Sequence, residues 1–146
     1  MIVLVSASSC NEAELFSKSF DDFPDNRWEK TNTLETNFSV NQDNTVANLE
    51  LQLSYVYGSQ FSEIPIEIYF TAPNHQIEKI PITIKTRDVS GNELGNCAGD
   101  YCDLTYEVKK EYVFTSRGKY KIQILNKFNY SYLPNILAIQ IRLKNE

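Results

Sequence analysis

Apolar and polar residues alternate along most of this chain after Leu34. In the stretch NLELQLSYVY, the apolar side chains of Leu49, Leu51 and Leu53 are separated by polar ones, and the phase continues to Tyr57. Successive side chains of a β-strand point to opposite faces, so this period of two predicts a half-buried strand with Tyr57 on its core face. The same pattern recurs in the following stretches: Leu34–Val40, Ile64–Phe70, Ile80–Ile84, Leu104–Phe114, Tyr120–Ile124 and Leu137–Leu143.

The number of such strands determines the fold class. Each strand has one apolar face, which must pack against another apolar layer about 10 Å away. Strands buried on both faces, as in parallel sheets, would lack this alternation. With 146 residues, of which 42% are hydrophobic, the chain can bury one core. We therefore expect an all-β fold, a two-sheet antiparallel β-sandwich (jelly-roll-like) of seven to eight strands.

The first ten residues, MIVLVSASSC, combine an apolar run with small residues before a cysteine. Ala7, Ser8 and Ser9 before Cys10 resemble a bacterial lipobox, in which the cysteine is acylated and becomes the first residue of the mature protein. Each acyl methylene buried in a bilayer contributes about 0.8 kcal/mol, so such a lipid would anchor the protein to a membrane. The alternative is a disordered terminus with a chance cysteine.

Three regions follow from this interpretation. Residues 1–9 are a residual lipoprotein signal segment, residues 10–30 are a lipid-anchored tether and docking segment, and residues 31–146 form the sandwich domain. Within the tether, 11–23 is largely polar and is expected to be a linker with a possible helix. Phe20, Phe23 and Trp28 surround Pro24 and are expected to dock this segment onto the domain, because large rings gain most by packing.

The two cysteines in GNCAGDYCD form a separate pair. In an exported compartment Cys97 and Cys102 can oxidise, so we predict a short loop disulfide between them. Closing so small a loop contributes only about 2 kcal/mol, and the bond would mainly hold the shape of the loop. A structural zinc site is the weaker interpretation, because a second ligand pair is missing.

The longest loop, RDVSGNELGNCAGDYCD, is rich in carboxylate and amide side chains. Such oxygens suit Ca²⁺, but their spacing does not match an EF-hand, and exposed loops commonly contain them. We therefore predict a binding loop without a cofactor or metal, with calcium as the alternative. The predicted binding-loop residues are Asp88, Asn92, Glu93, Asp100 and Asp103.

Composition narrows the function classes further. A formal net charge of −5 and the lack of a Lys/Arg stripe argue against binding to nucleic acid, which requires cations facing the phosphates. The sequence contains no paired acid and base, no nucleophile near a base and no Gly-rich phosphate loop. We expect a protein that is not an enzyme and that acts by binding.

Three motifs resemble those of a known family. They are the aromatic residues Phe20, Phe23 and Trp28, a D-x-x-G-x-x-L-G-x-x-x-G-D loop beginning at Asp88, and a G-x-Y-x-I strand beginning at Gly118. With the lipobox, they resemble the gliding-motility lipoproteins GldH of the Bacteroidetes over most of the chain after Cys10. The cysteines within the loop depart from that pattern.

The resemblance implies a non-catalytic binding or scaffold component of the gliding-motility machinery. It implies a lipid-anchored protein of the bacterial cell envelope, facing the periplasm or the cell surface. The partners it implies are the membrane, through the N-terminal lipid, and other envelope proteins of the gliding apparatus.

A carbohydrate-binding sandwich on the cell surface is the alternative function. Sugar rings stack on flat aromatic faces, so a glycan site would need several exposed rings on one platform. The rings expected at the surface are Trp28, Tyr101, Tyr130 and Tyr132. If they lie together, glycan binding is favoured, and if they are scattered, a protein-binding scaffold is favoured.

Overall fold

A computed structural model describes residues 14–58 and 61–145 of the chain. The regular structure of these residues is all β, apart from one short 3-10 turn at Pro24–Asn26. The described part of the chain contains no helix that could span a membrane. The strands are β1 (Glu14–Phe20), β2 (Trp28–Glu29), β3 (Leu34–Val40), β4 (Thr45–Val56), β5 (Glu63–Thr71), β6 (Ile77–Lys85), β7 (Asn96–Ala98), β8 (Tyr101–Phe114), β9 (Gly118–Asn126), β10 (Tyr132–Leu133) and β11 (Ile136–Lys144). The predicted signal segment and Cys10 lie outside the described residues.

The strands form two antiparallel sheets and a small ribbon. The first sheet has five strands in the order β1-β11-β4-β8-β7, and the second has four in the order β3-β9-β5-β6. Strands β2 and β10 pair with each other. The prediction of an all-β, two-sheet antiparallel sandwich is confirmed. Four strands beyond the alternating runs are present, namely β1, β2, β7 and β10, and three of these are only two or three residues long.

The core lies between the inner faces of the two sheets. Along β4, buried residues alternate with half-exposed ones, and Leu49, Leu51 and Leu53 are fully buried. Ile122 and Ile124 of β9 are their counterparts in the second sheet. Burying one such side chain contributes about 1.5–3 kcal/mol. The alternation read in the sequence is therefore the alternation between core and solvent in the fold.

The expectation of a linker with a possible helix over 11–23 is wrong for Glu14–Phe20, and residues 11–13 lie outside the described part of the chain. Residues Glu14–Phe20 form β1, which pairs in antiparallel register with the edge of β11. Pairing provides partners for the backbone, and Phe16 stacks on Phe38 of the opposite sheet with 5.3 Å between ring centroids. These tertiary contacts outweigh the weak local spacing of the phenylalanines.

The two ends of the sandwich differ in the length of their connections. At one end, which we call the hairpin end, the connections 41–44, 72–76 and 115–117 are short. The first and the last of these contact each other, since the Arg117 amide donates to Asp43 Oδ1 at 2.8 Å. Strand β1 begins and β11 ends here, since Glu14 pairs with Lys144. The chain therefore enters and leaves the described fold at the hairpin end.

The opposite end, which we call the long-connection end, contains the four longer connections 21–33, 57–62, 86–100 and 127–135. They are joined by backbone hydrogen bonds: the Tyr57 amide donates to the Asp100 carbonyl at 2.7 Å, and the Lys30 amide donates to the Ser131 carbonyl at 2.9 Å. The loops furthest from the start of β1 thus support each other as one surface.

Asn126 connects the β2–β10 ribbon to the four-stranded sheet. Its buried side chain donates to the Trp28 carbonyl and accepts from the Phe128 amide, both at 2.9 Å. Unpaired buried polar groups cost about 1–3 kcal/mol each, so we expect Asn126→Ala to lower the free energy of unfolding by about 2–4 kcal/mol. The exposed neighbour Asn129→Ala is the control and should change it by less than about 0.5 kcal/mol in chemical denaturation. Equal effects of the two variants would contradict this role.

Candidate binding site at the long-connection end

Tyr55 and Glu93 fix the long loop to the sheet. The Tyr55 side chain is almost fully buried on the inner face of β4, and its hydroxyl donates to Glu93 Oε1. The amide of Gly95 donates to the same oxygen at 3.3 Å. Burial, with a smaller contribution from Glu93, raises the pKa of the Tyr55 hydroxyl above its usual range. The neutral donor therefore persists at physiological pH, and its stabilising contribution is lost only as the pH rises above about 10.

The glycine of the loop motif is required at this contact. A Cβ atom at Gly95 would overlap the Tyr55 hydroxyl and would lie 3.2 Å from both Tyr55 Cζ and Glu93 Oε1. The loop backbone thus passes directly over the ring. This close approach is a physical reason for the glycine after Leu94 in the motif seen in the sequence.

A disulfide bond between Cys97 and Cys102 closes the β7–β8 hairpin, which follows Gly95 in the chain. The two residues face each other across β7 and β8, and Cys102 is also opposite Tyr55 on β4. Glu93, Cys97 and Cys102 are the group of possible metal ligands that converges within residues 14–58 and 61–145. Because its two sulfurs are bonded to each other, this group cannot supply two thiolate ligands in the state described.

Most of the predicted binding-loop residues bond within the domain. Asp88 Oδ1 accepts from the amides of Ser90 and Asn92 at 2.9 and 2.8 Å, and Asp88 Oδ2 accepts from Asn92 Nδ2 at 3.2 Å. Hydrogen bonds, chiefly from Asn92, lower the pKa of the Asp88 carboxyl. Asp103 Oδ1 accepts from the Ser54 hydroxyl at 2.5 Å. Asp100, at the tip of the β7–β8 hairpin, is exposed.

The predicted aromatic surface is only partly correct. Trp28 is wrong as a surface ring: it is fully buried, and its Nε1 donates to the Asn32 carbonyl at 2.7 Å. Tyr101 and Tyr130 are exposed, and Tyr132 is half-buried beneath the Arg27 guanidinium, which lies 4.5 Å from the ring centroid. Tyr57 was expected in the core, yet it is 58% exposed because it follows the last residue of β4.

An aromatic cleft of about 490 Å³ opens beside the β2–β10 ribbon. The ring centroids of Phe61 and Phe128 are 4.5 Å apart in an edge-on arrangement, and those of Phe128 and Tyr130 are 5.3 Å apart. Sequence reasoning missed Phe61 and Phe128, although Phe128 is two residues from Tyr130 in FNYSYLP. Tyr101 does not line this cleft, which is bordered by Phe61, Phe128, Tyr130, Ser131, Tyr132 and Pro134.

These features define an all-β sandwich domain that presents a cross-linked hairpin and exposed tyrosines at the end opposite the start of β1. The family model described as GldH lipoprotein matches residues 16–143. The chain therefore belongs to the GldH lipoprotein family, and the resemblance seen in the sequence is confirmed. Membership of a lipoprotein family implies attachment to a membrane of the cell envelope through lipid.

Comparison with solved structures finds similarity to a chain in the crystal structure of dimeric latent PorU from Porphyromonas gingivalis. The sequence identity is 14% and the TM-score is 0.35, and the match covers 96% of this chain. This chain spans 14% of the length of that one. The comparison with curated proteins finds no match.

A double-mutant cycle tests the contact between the long loop and Tyr55. We expect Gly95→Ala to lower the free energy of unfolding by about 1–3 kcal/mol, because its methyl group overlaps the Tyr55 hydroxyl. In a Tyr55→Phe background that hydroxyl is absent, so the same change should cost about 1 kcal/mol less. Chemical denaturation of the four proteins gives the coupling energy. Strictly additive effects would contradict the contact.

Proposed function

We propose that this protein is a non-catalytic binding or scaffold component of the gliding-motility machinery. In this role it is held at the cell envelope through a lipid on Cys10. Its long-connection end binds another envelope protein of the apparatus.

The observation that carries the proposal is the position of the exposed tyrosines. Tyr57, Tyr101 and Tyr130 all project from connections or strand ends at the long-connection end, whereas β1 begins at the hairpin end. Tyrosine and arginine are enriched in protein–protein interfaces, where large rings bury area at low entropic cost. A partner approaching from the side opposite the anchor would meet these rings first.

The arrangement of reactive side chains supports a role without catalysis. The histidine, His75, lies in the turn between β5 and β6 at the hairpin end. Cys97 and Cys102 are at the opposite end and are bonded to each other. A nucleophile and its base must lie within hydrogen-bond reach, and these residues do not. This separation favours recognition over catalysis at the long-connection end.

Complementation in a gliding host tests this function. A strain lacking the gene should lose colony spreading, and the natural chain should restore it. We expect a Tyr57→Ser/Tyr101→Ser/Tyr130→Ser variant to restore less than about a tenth of the spreading at normal protein abundance, because interface rings dominate binding. Cys10→Ala should fail as well, through loss of the anchor.

A matched variant at exposed positions on the outer sheet face, Thr105→Ser/Lys109→Ser, should restore spreading fully. Immunoblots of each strain check that the variants accumulate equally. Normal spreading by the deletion strain, or by the tyrosine variant, would contradict the proposed function.

Glycan binding remains a second candidate because of the aromatic cleft. Tyr130 and Tyr132 border it together with the Ser131 hydroxyl, and a sugar site combines stacking rings with nearby hydrogen-bonding groups. Against this candidate, Trp28 is buried and Tyr101 lies outside the cleft, so the four rings do not form one platform.

Titration calorimetry with purified cell-envelope polysaccharides tests the glycan candidate. If the cleft binds sugar, Tyr130→Ala should weaken binding at least about tenfold, because one stacking ring is lost. Tyr101→Ala is the control ring outside the cleft and should leave binding unchanged. An absence of binding heat with the natural chain would remove this candidate.

A further inference from the structure

We propose that the hairpin end of the sandwich lies directly against the surface of the lipid bilayer. The anchored protein would then rest on the membrane through protein–lipid contacts, with its long-connection end facing away. This inference rests on the lipid attachment in the proposed function. It is independent of gliding and of any protein partner.

The first observation is a set of exposed aliphatic side chains at the hairpin end. Leu15 of β1 is 46% exposed, Val46 of β4 is 37% exposed, and Val113 of β8 is 47% exposed. Val46 and Val113 face each other across the strand pair on the outer side of the five-stranded sheet. Ile77, the first residue of β6, adds a side chain that is 66% exposed on the second sheet. Both sheets thus end in exposed aliphatic groups here.

The second observation is the path of the chain. Strand β1 begins at Glu14, beside these residues, and Cys10 precedes it by four positions. Four residues span at most about 14 Å even when fully extended. A lipid on Cys10 would therefore hold the hairpin end within that distance of the headgroups. Apolar side chains so close to a bilayer gain free energy by entering its interface.

The third observation is a groove of about 350 Å³ at the same end, whose lining combines apolar side chains with the polar residues Ser39, Asn41, Gln42, Thr45 and Asn145. The apolar part of the lining consists of Leu15, Phe16, Phe38, Val40, Phe114 and Leu143. Leu15 is the residue at a bulge where the pairing of β1 with β11 shifts register, which moves its side chain away from the regular sheet. The groove gives lipid chains or headgroups a partly apolar surface next to the anchor.

The opposite end has a different composition. Three of its exposed large residues are tyrosines, Tyr57, Tyr101 and Tyr130, and the start of the described chain is far from them along the strands. The long-connection end also exposes Val89 and Leu94. At the hairpin end the exposed large hydrophobic residues are all aliphatic, and they lie among exposed polar turn residues such as Asp43 and Arg117. Aliphatic side chains beside a lipid anchor, with polar neighbours, suit the interface of a bilayer. Tyrosine-rich exposure fits a protein partner.

Hydrogen–deuterium exchange on vesicle-attached protein tests the inference. With the Cys97–Cys102 bond intact, Cys10 is the remaining thiol of the chain, so the full chain can be coupled through it to a maleimide lipid. The vesicles contain phosphatidylethanolamine and phosphatidylglycerol. We expect amide exchange in 41–44, 72–76 and 115–117 to slow about tenfold relative to the free chain. Exchange in 86–95 and 127–135 should not change.

A serine variant tests whether the exposed aliphatic side chains cause the slower amide exchange, which we call protection. Leu15→Ser/Val46→Ser/Ile77→Ser/Val113→Ser should abolish it, although the protein stays covalently attached. The matched control changes four exposed residues at the other end, Tyr57→Ser/Val89→Ser/Leu94→Ser/Tyr101→Ser, and should retain the protection. Thermal unfolding of both variants checks that each is folded.

Three results would overturn the inference. One is protection at the long-connection end or at neither end of the attached natural chain. Another is protection of the hairpin end that depends on protein concentration without vesicles, which would indicate contact with a second copy. The third is full protection in the serine variant of the hairpin end. Because no motility protein is present, these results are separate from the outcome of the complementation experiment.

Discussion

The structure depends on the burial of two apolar sheet faces against each other. Residues such as Leu51 and Ile122 are fully buried because every second residue of the central strands points inward. Neither sheet is stable without the other, since each would leave a continuous apolar face in water. With both inner faces used for this contact, the ends of the strands are the places where exposed aromatic and aliphatic groups collect.

The long-connection end is held in shape by a few specific contacts. Tyr55 connects the core to the loop through Glu93, the disulfide closes the β7–β8 hairpin, and Asn126 joins the β2–β10 ribbon to the second sheet. Each contact uses a buried or covalent group, so the loops are attached to rigid strands. A preorganised surface of this kind loses less entropy on binding than flexible loops would.

The sequence predicted which residues form the sheets better than it predicted which aromatic rings are exposed. A period of two determines which side chains face the core, so the alternating strands could be read directly from the residues. The strand at Glu14–Phe20 could not, because its partner is β11, more than a hundred residues later, and only pairing makes it a strand. The burial of Trp28 and the exposure of Tyr57 depend in the same way on where the chain turns. The cleft containing Phe61 and Phe128 brings together residues from two connections, which no local pattern reveals.

The central claim is that the two ends of one sandwich face different partners, lipid at the hairpin end and protein at the long-connection end. Site-specific photo-crosslinking in a gliding host tests it most directly, with a photoreactive phenylalanine at Tyr101 in one strain and at Val46 in another. The account predicts a discrete protein adduct from position 101 and no protein adduct from position 46. A discrete protein adduct from position 46, or the lack of one from position 101, would contradict it.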